Sequence, residues 1–164
     1  MNAKDAIRTA LQSTHHILSW YVSDLSDADL LVRPAPSANH IAWQLGHLIL
    51  TEVGMLGKQL PGAHYPDLPP GFADQHSKQT AAAEPPKGFR CKEEYLALFN
   101  KAREATLATL ARMSDAELDK PISGDMAKFA PTVGALLILQ SNHTLMHAGQ
   151  FTVLRRKLGK PVLF

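Results

Sequence analysis

The 164-residue sequence predicts an all-α fold, a four-helix bundle with a long irregular loop between its second and third helices. Three observations carry that expectation. Four stretches space their apolar residues by three and four, as one buried helix face requires. None shows the strict alternation of a half-buried strand. Proline- and glycine-rich breakers separate the stretches.

The first helix is expected from about Ala3 to Ser23, with Ile7, Leu11, Leu18 and Tyr21 on one face. A short element follows from Ser26 to Leu30, where Ser26 and Asp29 resemble a capping box. Arg33-Pro34-Ala35-Pro36 then breaks the chain. The second long helix starts near Ser37 or Asn39, either of which suits an N-cap, and stops before Pro61-Gly62. From Pro61 to Arg90 the sequence is irregular, holding Pro66, Pro69, Pro70, Pro85 and Pro86. A loop of this length inside a compact domain is uncommon and often functional. The third helix spans about Lys92 to Met113. Ser114 to Leu118 then echoes the earlier capped element, MSDAEL against LSDADL, which hints at a doubled helix-pair plan. The fourth helix begins near Pro131-Thr132, with Pro131 in its first turn, and ends near Leu158 before Gly159 and Pro161. Helices one and two are expected to pair, as are three and four.

With 45% hydrophobic and 20% charged residues, the composition suits one globular domain over residues 1–164. A net charge of +2 is too small to argue for nucleic acid. The densest basic cluster, Arg155-Arg156-Lys157, ends the fourth helix, where cations complement the dipole and need no partner. The single cysteine, Cys91, excludes an intrachain disulfide framework and fits a reducing compartment; it reads as inert. No continuous apolar run suggests a signal peptide or a membrane span. The protein is therefore expected to be cytoplasmic, with no nucleic-acid or membrane partner.

The chemistry concentrates in three histidines. His143 and His147 are four apart and project from one helix face. They lie in the stripe Leu136, Gln140, His143, His147, Phe151, Leu154, which must face the bundle interior. On the second helix His40, Trp43, His47 and Leu50 share a face by the same spacing. His47 is thus placed to supply a third imidazole from a facing helix, and bundle interiors are where facing helices build metal sites. Three neutral imidazoles suit zinc, nickel, copper or iron and leave a coordination position open. Gln44, Gln140 and Gln150 are candidate hydrogen-bond partners for the outer ring nitrogens. Gly46 and Gly149 would permit close helix approach. The plainer alternative is a structural bundle with hydrogen-bonded core histidines.

Other residues read more simply. His40 is expected at the surface, His64 and His76 in a solvated loop, and His15 either outward or inward. Trp43 and Phe72 are candidates to stack on a substrate, though packing accounts for Trp43 equally well. Glu52, five positions beyond His47, should point away from the histidines and is not assigned as a base.

The segments NHIAWQLGHL (39–48), GFADQH (71–76), APTVG (130–134) and HTLMHAGQFTVLRRKLGKP (143–161) resemble the DinB-like superfamily, particularly its DUF664-type members. The resemblance covers nearly the whole chain. It implies a DinB-type four-helix bundle with three histidines around a divalent metal, one from the second helix and two from an HxxxH pair on the fourth. His47, His143 and His147 match those positions. Zinc or nickel is the metal it implies first, with iron or manganese as alternatives. Relatives include thiol S-transferases that use bacillithiol or mycothiol and a thiol-dependent maleylpyruvate isomerase, and dimers are common among them. The resemblance therefore implies a transferase whose metal activates a low-molecular-weight thiol against a small-molecule electrophile. Alternatives are a metal-dependent hydrolase or a non-catalytic metal or small-molecule binding module.

Overall fold

The computed structural model describes residues 1–60, 62–83 and 86–163. Pro61 and Pro85, used above as breakers, lie outside the described residues. The elements are α1 (Ala3–Val22), α2 (Asp27–Leu30), α3 (Ile41–Thr51), a π-helical turn (Glu52–Leu56), α4 (Gly57–Gln59), α5 (Phe72–Gln75), α6 (Lys92–Arg112), α7 (Asp115–Leu118), a 3-10 turn (Asp125–Lys128) and α8 (Val133–Lys157). Among the described residues no strand forms beyond an isolated bridge between Pro121 and Thr132. The four long helical stretches sit where the periodicity placed them. The second, α3 through α4, continues through a π-helical turn that the spacing did not foretell.

Local chemistry explains most ends. Asn2 caps α1 by accepting from the Asp5 amide. Ser26 with Asp29 and Ser114 with Glu117 both form reciprocal capping boxes, so the LSDADL/MSDAEL likeness is structural. At α3 the cap is His40, whose Nδ1 accepts from the Trp43 amide at 3.2 Å, not Ser37 or Asn39. Thr132 caps α8, which leaves Pro131 outside the first turn. α8 ends in a Schellman motif: Gly159, at φ +67°, lets its own amide reach Arg156 O and the Lys160 amide reach Arg155 O.

The expected helix pairing is overturned. α1 packs most extensively along α8 and also against α6, while α3 packs against α6 and α8. Helices one and two therefore stand diagonally across the bundle, as do three and four. The reason lies in the faces: Leu11 and Leu18 of α1 pack in the same interior as Leu136 and Leu154 of α8. The core divides into a cluster around Leu45, Phe99 and Phe151 and another around Leu11, Leu110 and Leu136.

A buried ion pair spans the four long helices. Arg103 of α6 holds Glu52 with two hydrogen bonds, Nε to Oε1 at 2.9 Å and a terminal nitrogen to Oε2 at 3.0 Å. It also donates to Leu11 O of α1 and to Thr144 Oγ1 of α8. Thr106 and Gln140 donate to the same carboxylate, at 2.7 and 3.2 Å. Such a charge pair is tolerable in a dry core because its lone pairs are met. Arg155, expected to need no partner, is likewise fully buried and forks onto Asp24.

Candidate metal centre

α3 and α8 bring His47, His143 and His147 together. One nitrogen from each lies within 4.8 Å of the others. His143 and His147 approach most closely, Nε2 to Nε2 at 3.1 Å. Two nitrogens bound to one tetrahedral ion at ~2.0–2.1 Å stand about 3.3 Å apart, so the spacing fits a shared ion. Cores of this kind normally fill inward helix positions with hydrocarbon. Here the inward stripe predicted on α8 is kept, with Leu136, Phe151 and Leu154 buried along the same helix.

The hydrogen-bond network assigns the tautomer of His147. Gln44 donates Nε2–H to Asn39 O at 2.8 Å, which turns its Oε1 toward the site. That oxygen can only accept, so Nδ1 of His147 carries the proton and donates it at 2.7 Å. Nε2 is then left with a lone pair aimed at its neighbours. This is the arrangement that orients metal-ligating histidines.

His47 is fixed differently. Its ring stacks on Trp43, with centroids 4.9 Å apart and planes inclined by 8°. Trp43 in turn donates Nε1–H to Ser77 O at 3.2 Å, tying α3 to the loop. Trp43 is buried by this double contact, so its role here is packing and not substrate stacking.

Electrostatics keep all three imidazoles neutral. Burial pushes His143 down to about 4, with His47 acting in the same direction. Burial pushes His147 down to about 3, helped by His143 and His47. His47 is lowered by burial and by the Lys78 ammonium. At neutral pH the trio presents lone pairs without charge, the donor set for a borderline divalent ion.

A cleft of about 510 Å³ opens beside His47 and His143, walled mainly by Met55, Met126, Leu139 and Met146. A ligand in it has direct access to those two rings. Glu52 is not available as a base, because Arg103 and Thr106 occupy its carboxylate.

Several expectations about neighbouring residues fail. Gln140 is buried but donates to Glu52, not to a histidine, and its Oε1 has no partner among the described residues. Gln150 is exposed, and Gly149 faces open space. His40 is buried as the α3 cap, its ring edge-on to Phe89. His15 joins Asn100 at 2.7 Å, away from the trio. Phe72 is buried against His76 and Tyr95, so it is no substrate platform.

The residue that sequence reasoning missed most completely is His76. It is fully buried; Nδ1–H donates to Phe72 O at 2.8 Å and Nε2 accepts from the Tyr95 hydroxyl at 2.8 Å. Its ring lies flat against Gly46, where an added Cβ would stand 2.0 Å from Cδ2. Gly46 does allow a close approach, but by the loop and not by a helix. The signal was the GFADQH segment beside an unexplained helical glycine, which loop polarity alone could not decode.

Comparisons with known proteins agree with this architecture. YfiT from Bacillus subtilis, described as a probable metal-dependent hydrolase with an unusual four-helix bundle topology, superposes with a TM-score of 0.70 at 18% identity, covering 96% of this chain and 89% of that one. A conserved protein from Enterococcus faecalis superposes with a TM-score of 0.69 at 19% identity, covering 98% and 99%. At such identities the likeness establishes the fold. No curated protein matches the sequence significantly. The sequence profile of the DinB superfamily matches residues 10–151, most of the bundle described above, and the chain belongs to that superfamily.

Proposed function

We propose that this protein is a divalent-metal-dependent enzyme whose ion is held by His47, His143 and His147. The observation that carries the reading is the trio itself: three neutral imidazoles, one with its tautomer set by Gln44, converging at the wall of an apolar cleft. Zinc or nickel suits this nitrogen donor set best, with iron or manganese as alternatives. When bound, such an ion supplies Lewis acidity that ionises a thiol or a water near neutral pH.

The chain's own residues do the rest. Gln44 holds the His147 ring so that Nε2 faces the site. Trp43 holds the plane of His47. The methionine and leucine walls limit water around the reacting groups. Glu52 is committed to Arg103, and among the described residues the cleft lining contains no carboxylate, so none of them stands ready as a carboxylate base. That favours a nucleophile acidic enough to be ionised by the ion alone. A small thiol meets this condition more easily than water, so we assign thiol S-transfer to an electrophile as the reaction.

Hydrolysis is the second reading, favoured by the description of the YfiT fold neighbour. One assay separates them. The metal-loaded protein is incubated with a halogenated aromatic or an activated ester, with and without a low-molecular-weight thiol. Thiol-dependent conjugation that is lost in His47→Ala supports transfer. Ester cleavage without thiol, lost in the same variant, supports hydrolysis. Turnover by neither route beside full metal loading points to a non-catalytic binding module.

A further inference from the structure

Among the described residues, the cleft beside His47 and His143 is lined by a single formally charged residue, Lys78, and by no acid. Lys78 is exposed, and among the described residues no hydrogen bond or ion pair engages its ammonium. The segment that carries it is well anchored. Ser77 O accepts from Trp43 on one side, and the Thr80 hydroxyl reaches Asp74 O at 2.8 Å on the other. The charge is therefore delivered to the cleft by a fixed backbone on a flexible four-carbon stem.

The remaining walls are apolar. Met55, Met126 and Met146 line the space with Leu139, and Phe129 stands at its rim, 75% exposed. Methionine side chains adapt to apolar bodies of varied shape. A volume of about 510 Å³ lies in the range of small-molecule sites. Such sites gain orientation from a few placed polar groups, and a lone cation on an apolar wall selects for an anion.

We propose that this cleft selects small amphipathic anions, seating an apolar body among Met55, Met126, Phe129 and Met146 and pairing one carboxylate or similar anionic group with Lys78. The proposal names the substrate class for the enzyme inferred above and rests on that reading for its catalytic meaning. The binding preference itself needs only the cleft and Lys78.

The test is calorimetric titration of the full chain with 4-phenylbutyrate and with 4-phenylbutyramide, its uncharged counterpart. Both chelator-treated and zinc-supplemented protein are used, with metal content measured on each sample. Chelator-treated wild type should bind the carboxylate at least tenfold more tightly than the amide. Lys78→Met should reduce that preference to within twofold without weakening the amide, and Lys78→Arg should restore it. Equal affinities in wild type, or no binding of either probe, would overturn the proposal. A preference that survives Lys78→Met but disappears in His143→Ala would also overturn it, because the anion's partner is then at the histidines. A Lys78-dependent preference in a protein that takes up no metal would uphold this inference while removing the proposed function.

Discussion

The amide oxygen of Gln44 accepts a 2.7 Å hydrogen bond from Nδ1 of His147, across the contact between α3 and α8. Because Asn39 O holds the other end of the amide at 2.8 Å, one tautomer of His147 is selected and its Nε2 faces the other histidines. Gln44→Ala removes that constraint. Outer partners of this kind are worth roughly 10–100-fold in metal affinity. Competition against a chelator should show a loss of that size with helix content unchanged. An unaltered affinity would mean that His147 is held in place by packing alone.

The Glu52–Arg103 pair predicts a stability signature. Arg103→Met leaves a fully buried carboxylate without its counter-charge, which costs about 3–5 kcal/mol. Replacing both residues with apolar ones of similar volume should cost less than the single change. Urea unfolding of wild type, Glu52→Leu, Arg103→Met and the Glu52→Leu/Arg103→Met double variant checks the order. Additive losses would show that the pair does not act as a unit.

Gly46→Ala tests the close approach of His76. In an open helical position the change would gain up to ~1 kcal/mol. Here the new methyl meets an imidazole held at both nitrogens, so the expected result is a loss of about 1–3 kcal/mol. Faster limited proteolysis between residues 62 and 83 should accompany it. A stabilised variant would show that the loop yields without penalty.

Acid should destabilise the metal-free protein in a defined window. His143 and His147 lie near 4 and near 3 in the fold, against 6.5 for an unperturbed imidazole. Between about 6.5 and 4 the unfolded chain therefore binds protons that the folded chain refuses, and stability falls as pH falls. Asp24, held down by Arg155, adds a loss only at and below the ordinary carboxylate range. Melting temperature should be level from pH 8 to 7 and decline below 6.5. Replacing both histidines with glutamine should lessen that decline and leave the part due to His15, His47 and His76, which burial also lowers.

What could be read from sequence followed the range of the interactions involved. Apolar spacing revealed the long helices and the inward position of His143 and His147, because a helix face is a local property. The capping boxes at Ser26 and Ser114 were legible for the same reason. Pairing of α1 with α8 was not, since four amphipathic helices can close a bundle in more than one cyclic order. The burial of Glu52, Arg103 and Arg155 was hidden because each is acceptable only with a partner from a distant helix. His76 was hidden likewise: its partners, Tyr95 and Gly46, come from two different helices. Gln44 was visible as a candidate beside His47, but its actual partner is His147.

The most direct test of the metal centre is elemental analysis of the protein purified from metal-replete medium, beside the His47→Ala/His143→Ala/His147→Ala variant. Wild type should carry close to one divalent ion per chain and the variant none, with both proteins helical. Wild type that carries no metal and takes up neither zinc nor nickel on titration would contradict it. Equal metal in both proteins would contradict it as well, by placing the ion elsewhere.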